Sequence, residues 1–221
     1  MNRFLRLTTC LATLATPLEA TSPPSPFAHV VAATPSDYCF FMGPDRLDSK
    51  VIGAGICYRI EKNLSLTKIW SVKGFYAFPG FVRLSGDGRW LVHARNLFHG
   101  TVNKDTVLVE VFENGVLKST LPVGLFVDNL KTLREDSGAS PERTHLLKYD
   151  SEPFFDLVDG YDMNRILESD GKLRESSGPL RFGDIPEGYY VRVDTIEGFR
   201  IFVNIKSGKI AHKYELKRAN P

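Results

Sequence analysis

Five histidines are the side chains best suited to chemistry in this chain: His29, His93, His99, His145 and His212. His93 and His99 lie six apart with Asp105 close behind, a group that can be written as a metal site. Zinc sites legible in a sequence keep their ligands at short fixed spacings, such as His-Glu-x-x-His, and no such spacing occurs here. On a strand, His93 shares a face with Leu91 and reads as a histidine satisfied within a sheet. No metal is expected. Asp150, Glu152, Asp156, Asp159 and Asp162 form an acidic cluster that could bind calcium or supply the carboxylate pair of a glycoside hydrolase. In Asp159-Gly160-Tyr161-Asp162-Met163-Asn164, however, the glycine stands second and not sixth, so the calcium-loop pattern fails. The cluster reads as a solvated acidic loop.

Nucleophile and phosphate signatures are missing. No Gly-x-Ser-x-Gly elbow occurs, and Ser85-Gly86, Ser137-Gly138, Ser177-Gly178 and Ser207-Gly208 read as turns. Gly53-Ala54-Gly55-Ile56-Cys57-Tyr58 lacks the third glycine of a dinucleotide loop, and no Gly-Lys-Ser/Thr follows. No catalytic residue is assigned and no cofactor is expected. A hydrolase assembled from His93, His99, His145 and the acids after Asp150 stays as the alternative, because triads built from distant positions leave no motif.

Trp70, Phe75, Tyr76, Phe78 and Phe81 make the richest aromatic run. One reading packs them into the core around a hairpin. The other uses the bracketing Gly74 and Pro79-Gly80 to place Phe75, Tyr76 and Phe78 on an exposed loop, as an apolar recognition patch. These three are the candidate binding residues.

The amino terminus supplies a compartment. Met1 to Arg6 carries Arg3 and Arg6, Leu7 to Leu18 is mostly apolar, and Leu18-Glu19-Ala20 approximates a small-residue cleavage site. Residues 1–20 are expected to be a secretory signal, and the protein secreted or periplasmic. The apolar run is about a dozen residues where a membrane span needs roughly 20, so no transmembrane helix is expected in the mature chain. Thr21-Ser22-Pro23-Pro24-Ser25-Pro26 makes 21–27 a stiff Pro-rich spacer. Residues 28–221 are expected to form a single β-rich domain. With Cys10 removed, Cys39 and Cys57 remain as an even pair bound for an oxidising compartment. A disulfide between them is expected, worth about 3 kcal/mol for a loop of this length. The alternative is two buried free thiols packed as small hydrophobes.

Composition agrees with a packed domain. Of 221 residues 43% are hydrophobic and 11% aromatic, which excludes a disordered or collagen-like chain. The formal net charge of +2 gives no reason to seek nucleic acid. Turn chemistry sets the elements. Val51 to Glu61 and Leu66 to Val72 are strand-like, and Ile56, Tyr58 and Ile60 alternate. Phe81 to Leu84 and Trp90 to His93 flank Ser85-Gly86-Asp87-Gly88-Arg89. Thr106 to Phe112 and Val116 to Leu121 flank Asn114-Gly115, Tyr189 to Asp194 and Phe199 to Ile205 flank Glu197-Gly198, and Ser207-Gly208 precedes Lys209 to Leu216. Asp-Gly and Asn-Gly tolerate the positive φ angles that tight hairpins need. Two short helices are predicted, over Val127 to Arg134 and over Met163 to Leu167. The rest of Pro153 to Pro186 carries no clear pattern.

Trp70-Ser71-Val72-Lys73-Gly74-Phe75-Tyr76 followed by Leu84-Ser85-Gly86-Asp87-Gly88-Arg89-Trp90-Leu91-Val92 resembles the Leu-Ser-x-Asp-Gly-Arg strand–turn–strand unit of bacterial β-propeller-type repeats. With Asn114 to Ser119 and Phe199 to Ile210, the chain looks like small exported bacterial β-rich proteins of unknown role. That resemblance implies hairpin architecture and says nothing about activity. Roughly 200 residues do not comfortably hold a closed propeller of four or more blades. The expected fold is therefore mostly β, with antiparallel hairpins in an incomplete propeller-like stack or a β-sandwich. The expected role is non-enzymatic binding of a protein or envelope component.

Overall fold

Each predicted hairpin turn joins two strands of one meander in the computed structural model, which describes residues 28–33, 36–47, 50–75, 81–95, 97–99, 102–130, 134–135, 143–145, 155–172, 187–195 and 197–216. The leader 1–20 and spacer 21–27 lie outside the described residues. Blade 1 contains β1 (His29–Ala32), β2 (Tyr38–Leu47), β3 (Lys50–Ile60) and β4 (Leu66–Lys73), antiparallel in chain order. Blade 2 begins with β5 (Val82–Leu84) and β6 (Trp90–Ala94). The chain then leaves the blade for β7 (Leu97–His99) and returns in β8 (Val107–Glu113) and β9 (Val116–Pro122). Strand β7 joins β10 (Arg134–Glu135) and β11 (Arg143–His145) in a small three-stranded sheet. Blade 3 is β12 (Phe155–Asp159), β13 (Tyr189–Asp194), β14 (Phe199–Asn204) and β15 (Ile210–Glu215), with helix α1 (Gly160–Ser169) between the first two strands. The fold is mostly β, an open stack of three four-stranded antiparallel sheets. The first strands of the blades gather at the inner edge, where β5 lies against both β1 and β12.

Blade 2 is buried on both faces, which explains its near-continuous apolar strands. Val82, Leu84, Leu91 and Phe112 pack against Phe40, Met42, Trp70, Val72 and Phe75 of blade 1 and the loop after it. Trp90, Val92, Ala94, Val109, Val111 and Leu121 pack against Phe155, Val191, Val193, Ile201 and Val203 of blade 3. Alternation across the pleat sends neighbouring residues of one strand into two different cores.

The Ser85–Arg89 turn holds the blades together. Asp87 Oδ1 accepts from Ser85 Oγ at 2.5 Å and from Arg89 N at 3.0 Å, and Ser85 Oγ accepts from Trp90 N at 2.8 Å. Asp87 is thus a turn former, as its position suggested. Gly88 has φ +69, and its carbonyl accepts from Trp70 Nε1 of blade 1 at 2.8 Å. A Cβ at position 88 would meet the Tyr38 ring at 2.2 Å, so only glycine fits this approach. Tyr189 of blade 3 reaches Asp87 from the other side. At the Asn114-Gly115 hairpin both residues have positive φ, 51 and 80, the pairing of a primed two-residue turn.

Helix α1 covers the outer face of blade 3, where Met163 and Leu167 bury against Val158, Tyr190 and Phe202. Asp159 caps it by accepting from Asp162 N at 2.8 Å, so two acids of the predicted loop serve a helix start. The helix predicted over Met163 to Leu167 is present and longer. That predicted over Val127 to Arg134 is corrected: residues 127–130 form no α-helix and Arg134 opens β10, while 131–133 lie outside the described residues. Val127 buries in the core, and the Glu197 carboxylate accepts from Asp128 N at 3.0 Å and Asn129 N at 2.9 Å. This clip holds the segment in a loop that follows a 3₁₀ turn at Val123–Leu125.

Candidate functional site

Two polar clusters and one apolar face stand out. The first cluster sits on blade 2, on the face turned towards blade 1. His93 of β6 and Glu110 of β8 are register partners, and His93 Nδ1 lies 2.9 Å from Glu110 Oε2. Glu110 Oε1 accepts from Arg95 Nη2 at 2.8 Å. The His93 hydrogen bond holds the Glu110 carboxyl below the usual carboxylate range, with Arg95 adding to it. An ionised carboxylate only accepts, so the Nδ1 proton belongs to His93 and Nε2 is the ring's second polar atom. This is the base-and-orienter half of a triad. Among the described residues no serine, threonine or cysteine side chain hydrogen-bonds Nε2. The cluster ties β6 to β8 beside Phe75, whose ring meets the imidazole edge-on at 5.4 Å, and its ion pair is Arg95 with Glu110.

The second cluster lies in blade 3 and is built by cross-strand pairing. Asp194 and Arg200 are register partners across the Glu197-Gly198 hairpin. Arg200 grips Asp194 with two bonds of 2.7 Å, the planar fork matched to a carboxylate. It donates a third, at 2.7 Å, to Asp170 at the end of α1, and Asp170 also accepts from the Tyr214 hydroxyl at 2.6 Å. Burial, followed by Asp170, pushes the Tyr214 phenol above its ordinary range, so it keeps its proton. A cleft of about 400 Å³ opens beside this network, lined by residues 169–172, Arg200 and Tyr214–Leu216. Lys172 lies over the Tyr214 ring there, 5.2 Å from its centre. The network locks helix to sheet, while Lys172 and Glu215 line the cleft outside it.

The predicted site residues are distributed as follows. Phe75 fills the core at 6% exposure, edge-on to Phe40 and Phe112, so it forms no part of an exposed patch. Three aromatic neighbours offer it more than a loop in water would. Tyr76 and Phe78 lie outside the described residues. His99 and His145 fall on adjacent strands of the small sheet, opposite Arg143 and Leu97 respectively. His212 sits opposite Phe202 and His29 opposite Met42, each far along the chain from the others. Among the acids, Asp156 pairs with Arg83 at 3.5 Å, while Asp150 and Glu152 lie outside the described residues. Among the described residues no group of three or more His, Cys, Asp or Glu is placed to hold a metal ion.

Cys39 and Cys57 are free buried thiols, which corrects the expected disulfide. They lie on neighbouring strands but one residue out of register. Phe40 is opposite Cys57 and Cys39 opposite Tyr58, so the two sulfurs leave opposite faces of the sheet. Burial, then Cys39, pushes the Cys57 thiol up to about 12. The intact mass of the folded protein should be the same with and without reductant. Both thiols should alkylate promptly only after unfolding. A two-dalton shift on reduction would refute this arrangement.

The apolar face is the outer side of blade 1. Register rows place Val30, Phe41, Ile56 and Ser71 side by side, flanked by Ala32, Cys39 and Tyr58 on one side and Ala54 on the other. Val30 is 50% exposed and Phe41 45%. The row has no charged side chain; Lys68 and Lys73 lie on the bordering β4 strand. Sequence reading missed this face and the Arg200 network. The network left one trace, because folding the Glu197-Gly198 hairpin back on itself sets Asp194 opposite Arg200.

Among the described residues, helix α1 covers one end of the open β stack and the sheet face at the other end carries half-exposed apolar side chains. Comparison with protein families, curated proteins and solved structures finds no match to this chain. Among the described residues no helix is long and apolar enough to cross a membrane.

Proposed function

We propose that the protein is a non-enzymatic interaction module of the periplasm or cell exterior that holds a protein or envelope component on the outer face of blade 1. The observation that carries this reading is the half-exposed pair Val30 and Phe41, register neighbours on an apolar row of the outer sheet face. Contiguous exposed apolar surface costs solubility and marks a docking site. Both charge clusters are taken up by their own partners. The outer strands carry lysines, Lys68 and Lys73 on β4, Lys118 on β9 and Lys213 on β15, which discourage strand addition at the edges. The location rests on residues 1–20, whose layout is that of a secretory signal.

Purified protein incubated with envelope fractions of its host should be retained. The double substitution Val30→Glu with Phe41→Glu should reduce retention at least about tenfold, because a buried unpaired charge opposes docking. Equal retention of the two proteins would exclude this face. The hydrolase alternative has one observation on its side, the Glu110-oriented His93. Hydrolysis of simple esters that disappears in His93→Gln would put that reading first.

A further inference from the structure

We infer that the outer rim of the stack, formed by the last strands β4, β9 and β15 of the three blades, docks on an anionic bilayer surface. Its aliphatic side chains enter the headgroup layer and its lysines meet the lipid phosphates. This rim is a different surface from the outer face of blade 1, and each can be tested without the other.

The rim gathers the exposed apolar side chains. Among the described residues nine large apolar side chains stand exposed, and six of them are here: Leu64 in the turn before β4, Leu66 and Ile69 on β4, Val116 and Leu117 on β9, and Ile210 on β15. The three strands follow one another in contact. A Cβ at Gly115, in the turn into β9, would lie 2.6 Å from the Ser71 carbonyl oxygen of β4 and 3.1 Å from the Trp70 ring. One at Gly208, in the turn into β15, would lie 3.8 Å from Leu121 of β9. The edges therefore make one surface.

Charge selects what lies against it. Strands β4 and β9 carry Lys68, Lys73 and Lys118 and no acidic residue, and Lys206 and Lys209 stand exposed at the turn into β15. Lys68, Lys73, Lys206 and Lys209 form no ion pair among the described residues. The acids nearby are engaged, Glu61 by Arg59, Glu113 by Arg89 and Lys118, and Asp128 by Lys213; Glu215, at the end of β15, is the one acid on the three strands. Protection of a sheet edge accounts for a lysine on each outer strand, but an aliphatic side chain beside it invites the strand pairing that the lysine opposes. Aliphatic groups interleaved with unpaired ammonium groups suit an anionic membrane interface, where the first leave water and the second stay at the phosphates. A nucleic acid would use the same lysines but would want aromatic stacking partners where Val116 and Leu117 stand.

Flotation of the protein as recovered from its host tests this, with vesicles of phosphatidylcholine alone and of phosphatidylcholine mixed with phosphatidylglycerol. Binding is expected to the mixed vesicles, weakening as salt is raised. Lys68→Gln with Lys118→Gln should lower the partition constant at least about tenfold. Val116→Ser with Leu117→Ser should lower it by a similar factor with the charge unchanged. Arg165→Gln, an exposed position of α1 away from the rim, should leave it as it was. All these positions are exposed, so each variant should keep its fold, and its melting curve checks that. Equal binding to the two kinds of vesicle, or binding indifferent to both double variants, overturns the inference. Dependence on the lysines without dependence on Val116 and Leu117 would give the rim to a soluble polyanion and overturn it as well. Vesicle binding lost instead in Val30→Glu with Phe41→Glu would move the bilayer to blade 1 and overturn it too.

Discussion

Arg200→Leu should destabilise the protein by about 3–5 kcal/mol, because it leaves a carboxylate buried without its main partner. Asp194 is 2% exposed and draws two of its bonds from that guanidinium. Arg192 Nη2 stands 3.6 Å from the same carboxylate, beyond hydrogen-bond range. Loss of the third Arg200 bond also frees Asp170 from the sheet, so the end of α1 should loosen as blade 3 weakens. For a domain of this size the melting temperature should fall by on the order of 10 °C. Removing both partners in Arg200→Leu with Asp194→Leu should cost less than Arg200→Leu alone, since the Asp194 carboxylate is then no longer left buried without its guanidinium. A single-variant loss under about 1 kcal/mol, the scale of an exposed pair, would mean that water reaches Asp194 after all.

Gly55→Ala is the second substitution with a large expected effect, and its cost depends on a neighbour. The backbone at 55 is extended and would accept alanine; the obstacle is Phe40, fully buried, whose ring tip would lie 2.1 Å from the new methyl. Phe40 is held in turn by Trp70, 5.4 Å away, and by Phe75, 5.9 Å away, so it has little room to yield. Overpacking of this kind costs about 1–3 kcal/mol. Phe40→Leu alone should also destabilise, by opening space above Gly55. Together the two changes should cost clearly less than their summed single effects, because the methyl then occupies room the smaller side chain has vacated. Urea denaturation of the four proteins measures the coupling, and simple additivity would refute the contact.

Local chemistry was legible in the sequence and pairing between distant residues was not. Asn114-Gly115 and Ser85–Arg89 announce their hairpins because a positive φ and an Asp side chain act within five residues. From those turns the antiparallel, β-rich character of the fold follows. The disulfide expectation failed on a single step of register, which no spacing along the chain reveals: Cys57 pairs with Phe40, one residue from Cys39. The helix expected from Val127 failed because Glu197, far along the chain, binds the backbone NH groups of 128 and 129. Ile56, Tyr58 and Ile60 were visible as an alternating set, yet alternation says only that two faces differ. Which face turns inward was decided by Phe40 and Trp70, which reach into the core from the flanking strands and leave room for nothing larger than Gly55 and Cys57.

Among the described residues, the helix-covered end and the end without such a cover also give the stack a direction for growth. At blade 3 the chain passes from β12 straight into α1, and the helix ends the series as a terminal cap does in repeat proteins. At blade 1 the chain enters through β1, an edge strand at the inner side, and the sheet face beyond it is finished in apolar residues like those between blades. A fourth blade could therefore be spliced in ahead of β1 without disturbing an existing turn, whereas one added beyond blade 3 would have to displace the helix. Among the described residues, this architecture is open to lengthening at blade 1 and closed by the helix at blade 3.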